Sequence, residues 1–217
     1  MTTPPATPPE GLSLRAGSSD AETVRRYYDD WAGSYDETLQ DWDYRAPNDC
    51  ADGVVPGLGA GARVLDVGCG TGLMGAVLAA RVPGVAVDGT DISQASLDRA
   101  GARGVYDRLV PHDLQRLPLP FDTDAYDAAV CVGVLTYVPD AAGLVRDMAR
   151  CVRPGGAVAF TQRSDRWESA GFPAILAALQ DDGTWRSVSV SDPLPYLPGN
   201  DDFGDAIRVI HVRATVS

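Results

Sequence analysis

The 217-residue chain contains no lysine: all 18 basic residues are arginine, against 30 aspartates and glutamates and a formal charge of −12. An acidic chain with no basic stripe repels phosphate backbones, which argues against nucleic acid and anionic membranes as partners. Histidine is almost as scarce, with only His112 and His211. The four cysteines, Cys50, Cys69, Cys131 and Cys151, lie far apart and form no CxxC pair. A zinc site therefore has poor material, and a reduced, cytoplasmic, metal-free protein is expected. No run approaches the ~18 apolar residues of a membrane span. The N-terminus "MTTPPATPPEGLSLRAGSSD" has neither a basic region nor an apolar one, so it does not read as a secretory signal. Its proline, threonine and glycine content predicts a disordered leader over 1–18. Arginine-only usage beside abundant Ala, Gly, Asp and Val is the signature of a high-GC bacterial genome; a halophile is the alternative.

What remains is ordinary globular material, 45% hydrophobic and 22% charged, enough for one domain with a proper core. Ser19 to Glu22 reads as a capping box, and Val24, Tyr27, Tyr28 and Trp31 follow at helical spacing, so 19–50 is predicted as an aromatic-rich helical segment. Over 51–217 strands alternate with helices. Strands are predicted at 63–67, 85–90, 105–110, 126–132 and 156–162, and helices near 72–81, 93–101, 140–151 and 171–180. The turn "RPGG" at 153–156 separates a helix from a strand, and late strands near 185–190 and 205–216 close the chain. Such alternation predicts an α/β domain of three layers around a seven-stranded, mostly parallel sheet with an antiparallel C-terminal strand.

Residues 64–73 read "VLDVGCGTGL". Gly68, Gly70 and Gly72 follow an apolar run that ends in Asp66, at the strand end where open parallel sheets bind ligands. Glycine lets backbone bend and approach a ligand with no Cβ in the way. The dinucleotide fingerprint G-x-G-x-x-G fails, because its third glycine would fall on Leu73. The pattern present is D-x-G-x-G-x-G. It resembles motif I of the class I S-adenosylmethionine-dependent methyltransferases, whose Rossmann-like fold the predicted element order matches.

That resemblance extends over roughly 25–217 and assigns further positions. A nucleoside ligand needs an acidic acceptor for its ribose about 20 residues past the glycines. "VDGTDIS" supplies Asp91, 19 positions after Gly72, with Ile92 beside it and Ser93 capping the next helix; Asp88 is the competitor inside the strand. "VPHDLQRLPLPF" puts Asp113 where the family places its adenine contact, with Leu114 against the ring, although a plain loop carboxylate reads the same. "YDAAVCVGVLTYVPD" resembles the fourth-strand motif, so Gly133 and Val134 would line the cofactor along with Asp66, Cys69 and Leu73. "YYDDWAGSYDE" resembles the aromatic lid of small-molecule members, in which Tyr28, Trp31 and Tyr35 would cover the methionine end; a core stripe is the alternative. The tail "TQRSDRWESAGFPAILAALQDDGTWRSVSVSDPLPYLP" is similar to bacterial relatives of the Williams–Beuren-region methyltransferase-like protein.

The family resemblance implies S-adenosylmethionine as methyl donor, S-adenosylhomocysteine as product and a small-molecule acceptor, in natural-product biosynthesis, with the chain a monomer or homodimer. Near the methyl end, Tyr35, Thr136, Tyr137, Arg163 and Tyr196 are the candidates, with Tyr35, Tyr137 and Arg163 proposed as catalytic. Tyr137 stands where many relatives carry histidine, and a phenol with a pKa near 10 is a poor base at neutral pH. Arg163 would pair with an acceptor carboxylate or else be an idle surface cation. An acceptor that is already nucleophilic or easily ionised follows: an amine, a carboxylate or an acidic hydroxyl. "DPLPY" at 192–196 looks like the D/N-P-P-Y amine-holding motif, but it lies far downstream of the fourth strand and is rejected as such. Two alternatives remain: a pocket recruited for cyclisation or other non-transfer chemistry, and a non-enzymatic cofactor-binding protein.

Overall fold

Side chains of the central strands alternate between two apolar clusters, and that alternation builds three layers. In the computed structural model, which describes residues 14–204 and 206–217, β1 (Arg63–Val67), β2 (Ala86–Asp91), β3 (Arg108–Pro111), β4 (Tyr126–Cys131) and β5 (Val152–Arg163) run parallel. Leu65, Ala129, Cys131, Val158 and Phe160 join one cluster with α6 (Ala141–Cys151) and α8 (Phe172–Asp181). Val64, Ala128, Val130, Ala157 and Ala159 join the other with α3 (Ala46–Val54) and α4 (Leu73–Arg81). Phe160 and Phe172 are fully buried, and each such ring stabilises the fold by about 1.5–3 kcal/mol. All four cysteines are free and buried, packing as small hydrophobes.

Three more strands, β6 (Trp185–Val190), β7 (Leu194–Pro195) and β8 (Arg208–Val216), complete an eight-stranded sheet. Its main path, β3-β2-β1-β4-β5-β8-β6, has the seven strands expected; the two-residue β7 adds an eighth beside β8. β8 is antiparallel to both β5 and β6. The strand order reverses at β1, which pairs β2 on one side and β4 on the other. The loops after β1 through β4 therefore converge at one crevice.

Local chemistry shifted several boundaries. β5 starts at Val152 rather than 156, because Val152 pairs Tyr126 before the "RPGG" irregularity. Gly156 is obligatory there, since a Cβ would lie 2.6 Å from the Asp127 carbonyl. The predicted Ser19–Glu22 capping box does not form. Asp20 caps α1 (Ala21–Trp31) instead, its carboxylate accepting the Thr23 N–H at 2.8 Å, while Glu22 turns to Arg25 and Arg26. An aspartate at the N-cap position outcompetes the serine before it.

The helical segment continues as α2 (Tyr35–Asp41) and into α3, which crosses residue 50 and buries Cys50, Ala51 and Val54 in the core. Two short elements complete the set, α5 (Gln94–Ala102) and α7 (Ser164–Trp167). Of the expected leader, residues 1–13 lie outside the described residues, whereas Leu14–Ser18 pack onto the end of β5 and the loop after β4. No described helix is long and apolar enough to cross a membrane.

Candidate active site

Three glycines at every second position perform three different tasks. Each has a positive φ: +72° at Gly68, +53° at Gly70 and +89° at Gly72. A Cβ on Gly68 would sit 2.4 Å from a Val134 methyl, so this residue lets the loops after β1 and β4 close on each other. A Cβ on Gly72 would meet Tyr106 at 2.9 Å and Ala100 at 3.1 Å, so Gly72 seats the start of α4 against α5. A Cβ on Gly70 would meet nothing within 4 Å, because it would project into open space. Of the three, Gly70 is the one that leaves room for a ligand.

That space is a cleft partly open to solvent, enclosing about 720 Å³ with the solvent at its mouth included. Its walls come from one loop after another along the sheet: Gly68, Gly70 and Thr71 after β1, Asp91 and Ile92 at the end of β2, Asp113 and Leu114 after β3, Gly133 and Val134 after β4. Tyr28 of α1, Tyr35 of α2 and Tyr137 complete its lining.

Asp91 is the structural pin of this cleft. One carboxylate oxygen accepts the Gly70 N–H and the other the Ser93 N–H, both at 2.9 Å. Burial pushes the Asp91 carboxyl up, and those backbone N–H groups pull it down. Each carboxylate oxygen has a second lone pair, so Asp91 can still accept two further hydrogen bonds. The competitor Asp88 is occupied elsewhere, accepting from Tyr126 Oη at 2.6 Å. Asp113 accepts the Gln115 N–H at 3.0 Å and stands at the far end of the cleft. His112, next to it, bonds the Arg116 carbonyl, and His211 sits in β8 opposite Thr161. Neither histidine lines the cleft.

Asp66, Cys69 and Leu73 line an adjoining hollow of about 340 Å³, which meets the cleft at Tyr35, Gly68, Gly70, Thr71 and Val132. Asp66 is 1% exposed and accepts from Tyr106 Oη at 2.7 Å; burial pushes its carboxyl up to about 7. Tyr106 also accepts the Gly75 N–H at 3.2 Å, tying β1 to α4. Asp66 thus supports the loop.

Trp31 is 2% exposed and does not reach the cleft. It lines a second cavity of about 440 Å³, which meets the cleft at Tyr28, Tyr35, Gly133 and Tyr137. The five residues expected at the methyl end, Tyr35, Thr136, Tyr137, Arg163 and Tyr196, all line this chamber. The Tyr28 hydroxyl donates to that of Tyr137 at 3.0 Å, forming a partition between the two spaces. The hydroxyls of Tyr44 and Tyr196 crowd the opposite side of Gly133, where a Cβ would lie 2.9 Å and 3.3 Å from them. Burial raises the phenols of Tyr28, Tyr35, Tyr44, Tyr137 and Tyr196, so all stay protonated at neutral pH.

Arg163 is 4% exposed, and its surroundings exclude an idle surface cation. It donates to both oxygens of Asp165, at 2.9 and 2.6 Å, and to the carbonyls of Leu14 and Arg15, at 2.7 and 2.9 Å. Its guanidinium lies 5.0 Å over the Phe203 ring.

Sequence reasoning did not find the clasp that holds α1 and α2 down. Asp36 of α2 accepts from Thr71 Oγ1 at 2.5 Å and pairs with Arg103, which in turn donates to the Thr71 carbonyl at 2.6 Å. Asp29 of α1 accepts from Ser93 Oγ at 2.7 Å at the start of α5. Nothing in local spacing signals either contact, because the partners are 32 to 67 positions apart.

Comparison with known proteins agrees with this geometry. Residues 65–160 match the methyltransferase domain family. The chain is 34% identical over 179 residues to human methyltransferase-like protein 27, an alignment spanning 79% of this chain and 72% of that protein. This chain belongs to the class I S-adenosylmethionine-dependent methyltransferases. It is also 34% identical over 137 residues to 27-O-demethylrifamycin SV methyltransferase of Amycolatopsis mediterranei, covering 61% of this chain and about half, 48%, of that enzyme. Among solved structures, Haemonchus contortus phosphoethanolamine N-methyltransferase 2, in complex with S-adenosylhomocysteine, superposes with a TM-score of 0.68 at 15% identity. That match covers 96% of this methyltransferase and 61% of the nematode chain, and it establishes the shared fold.

Proposed function

We propose that this methyltransferase binds S-adenosylmethionine in the cleft and methylates a small molecule held in the aromatic chamber beside it. The observation that carries this reading is the junction of the two spaces at Gly133 and the Tyr28–Tyr137 partition. Asp91 would hold the ribose, Asp113 and Leu114 the adenine, and the open backbone face at Gly70 the methionine portion. Gly68, Val134 and Ile92 shape the walls, while Asp66, Cys69, Gly72 and Leu73 act indirectly by setting the loop.

When bound, the cofactor supplies a methyl group already attached to its own leaving group. The chain's task is then to orient an acceptor in line and keep water out, an arrangement worth effective molarities on the order of 10⁵–10⁸ M. Tyr28, Tyr35 and Tyr137 close the junction, and the clasp through Asp36 and Arg103 keeps α2 seated while they do so. No metal is needed for such a displacement, and among the described residues no three His, Cys, Asp or Glu side chains cluster to hold one.

The rifamycin relative supports an O-linked acceptor and a setting in bacterial secondary metabolism. The acidic composition speaks against a nucleic-acid partner, and the proposal is completed by a cytoplasmic enzyme acting as a monomer or homodimer. Calorimetry tests the cofactor half directly. Micromolar binding of S-adenosylmethionine and S-adenosylhomocysteine with none of NAD is expected, and NAD binding in their place would overturn the reading.

A further inference from the structure

The chamber resting on that proposed site has a distinctive electrostatic makeup. Of the described residues lining it, Arg163 alone carries a formal charge at neutral pH; among them there is no carboxylate and no histidine. The remaining side-chain polar groups are the hydroxyls of Tyr28 from α1, Tyr35 from α2, Tyr44, Thr136, Tyr137 and Tyr196 and the indole N–H groups of Trp31 and Trp42, which can only donate. The phenols among them are kept protonated by burial, as described above. Asp165 pairs with Arg163 but does not line the chamber, and Asp36 and Asp91 approach Tyr35 from the cofactor side. Nothing in this set can take a proton from an acceptor at neutral pH.

Arg163 has five N–H donors. Four are engaged, two on Asp165 and one each on the Leu14 and Arg15 carbonyls, which leaves one Nη1 hydrogen without a partner among the described residues. Burial raises the phenols of Tyr137 and Tyr196, and the guanidinium opposes it at both, while Asp165 acts against the guanidinium at Tyr196. A protonated amine would gain cation–π contact with the aromatic walls, worth up to ~2 kcal/mol when desolvated. It would also lie beside a like charge and could not shed its proton.

We infer that the acceptor is an acidic oxygen, such as a phenol, an enol or a carboxylic acid, which enters the chamber as its anion and docks beside Arg163. In the transfer the oxygen anion forms the new O–CH₃ bond while the S–CH₃ bond breaks, its electron pair remaining on sulfur. Anion and sulfonium become a neutral methyl ether or ester and a neutral thioether, and no proton moves during the step. Arg163 selects the ionised form, and the aromatic walls hold the planar body of the acceptor.

The test is an optical titration of 4-nitrophenol, whose phenol and phenolate absorb differently, on protein saturated with S-adenosylhomocysteine. The chamber is expected to bind the phenolate and lower its ionisation midpoint by about one pH unit, a tenfold preference for the anion, while benzylamine binds at least tenfold more weakly. Arg163→Gln should abolish the preference. Asp165→Asn, which removes the competing carboxylate, should strengthen phenolate binding severalfold; a purely structural role for the ion pair would make both variants lose binding. Binding of nitrophenol in its neutral form, tighter binding of benzylamine, or no binding of either to the loaded protein would each overturn the assignment. Failure to load S-adenosylhomocysteine at all would instead overturn the cofactor reading on which it rests.

Discussion

Asp91→Ala is expected to lower the affinity for S-adenosylmethionine by at least about a hundredfold while leaving the chain folded. The size follows from counting bonds. Two ribose hydroxyls would lose a charged acceptor, and hydrogen bonds to charged groups contribute roughly 1.5–3 kcal/mol each. The same substitution frees the Gly70 and Ser93 N–H groups that the carboxylate holds at 2.9 Å, so the loop loses its pin as well as its ligand contact. Gly70 borders the open cleft and its N–H can bond water, whereas Ser93 is fully buried and its freed N–H adds a stability cost of about 1–3 kcal/mol. Asp91→Asn separates the two effects. Its amide keeps one oxygen for the ribose but offers N–H where an acceptor is required, so intermediate binding is expected. Calorimetry beside a thermal melt reads both quantities, and full affinity in Asp91→Ala would remove this residue from the site.

The second large effect concerns the glycines, whose equal spacing hides unequal roles. Gly68→Ala should destabilise the fold by about 3 kcal/mol or more, since the methyl would lie 2.4 Å from Val134 at a φ of +72°. Adding Val134→Ala should restore part of that loss and leave the backbone component of roughly 1–2 kcal/mol. Gly70→Ala presents the opposite profile. Its methyl meets no protein atom within 4 Å, so stability should fall only by the left-handed backbone cost of roughly 1–2 kcal/mol. Cofactor binding should fall far more, because the methyl occupies the space the ligand needs. Denaturant unfolding and calorimetry on the two variants therefore predict crossed outcomes: one loses fold, the other loses ligand. Equal behaviour of the pair would mean that the spacing serves the turn alone.

The elements that sequence displayed most clearly are those whose causes are local. The apolar run 63–67, the glycines behind it and the acidic residue at the end of β2 are set by strand period and positive φ, both of which leave a mark within a few residues. The third strand was harder. Tyr106 was placed inside it, whereas the strand starts at Arg108 and the tyrosine turns inward to bond Asp66, 40 positions away. Aromatic spacing along α1 reads equally as core or as lid, and both readings describe part of the same helix. Tyr27 and Trp31 are buried, while Tyr28 faces the cleft one position along.

Arg163 shows the limit of such reading most plainly. Its place after the fifth strand was legible, but its partners, Leu14 and Arg15, are 149 and 148 positions earlier in a segment whose composition predicted disorder. The charge of that arginine, buried and nearly saturated, is the basis of the selectivity proposed for the chamber, and no window of sequence contains both halves of the contact.

A crystal structure of the protein with S-adenosylhomocysteine is the measurement that tests the central claim most directly. The ribose hydroxyls are expected within hydrogen-bond distance of Asp91, the adenine against Leu114 with Asp113 at its edge, and the sulfur at the junction beside Gly133, facing the aromatic chamber. A ligand bound away from Gly70 and Asp91, or one whose sulfur points out of the cleft away from Tyr28 and Tyr137, would contradict that claim.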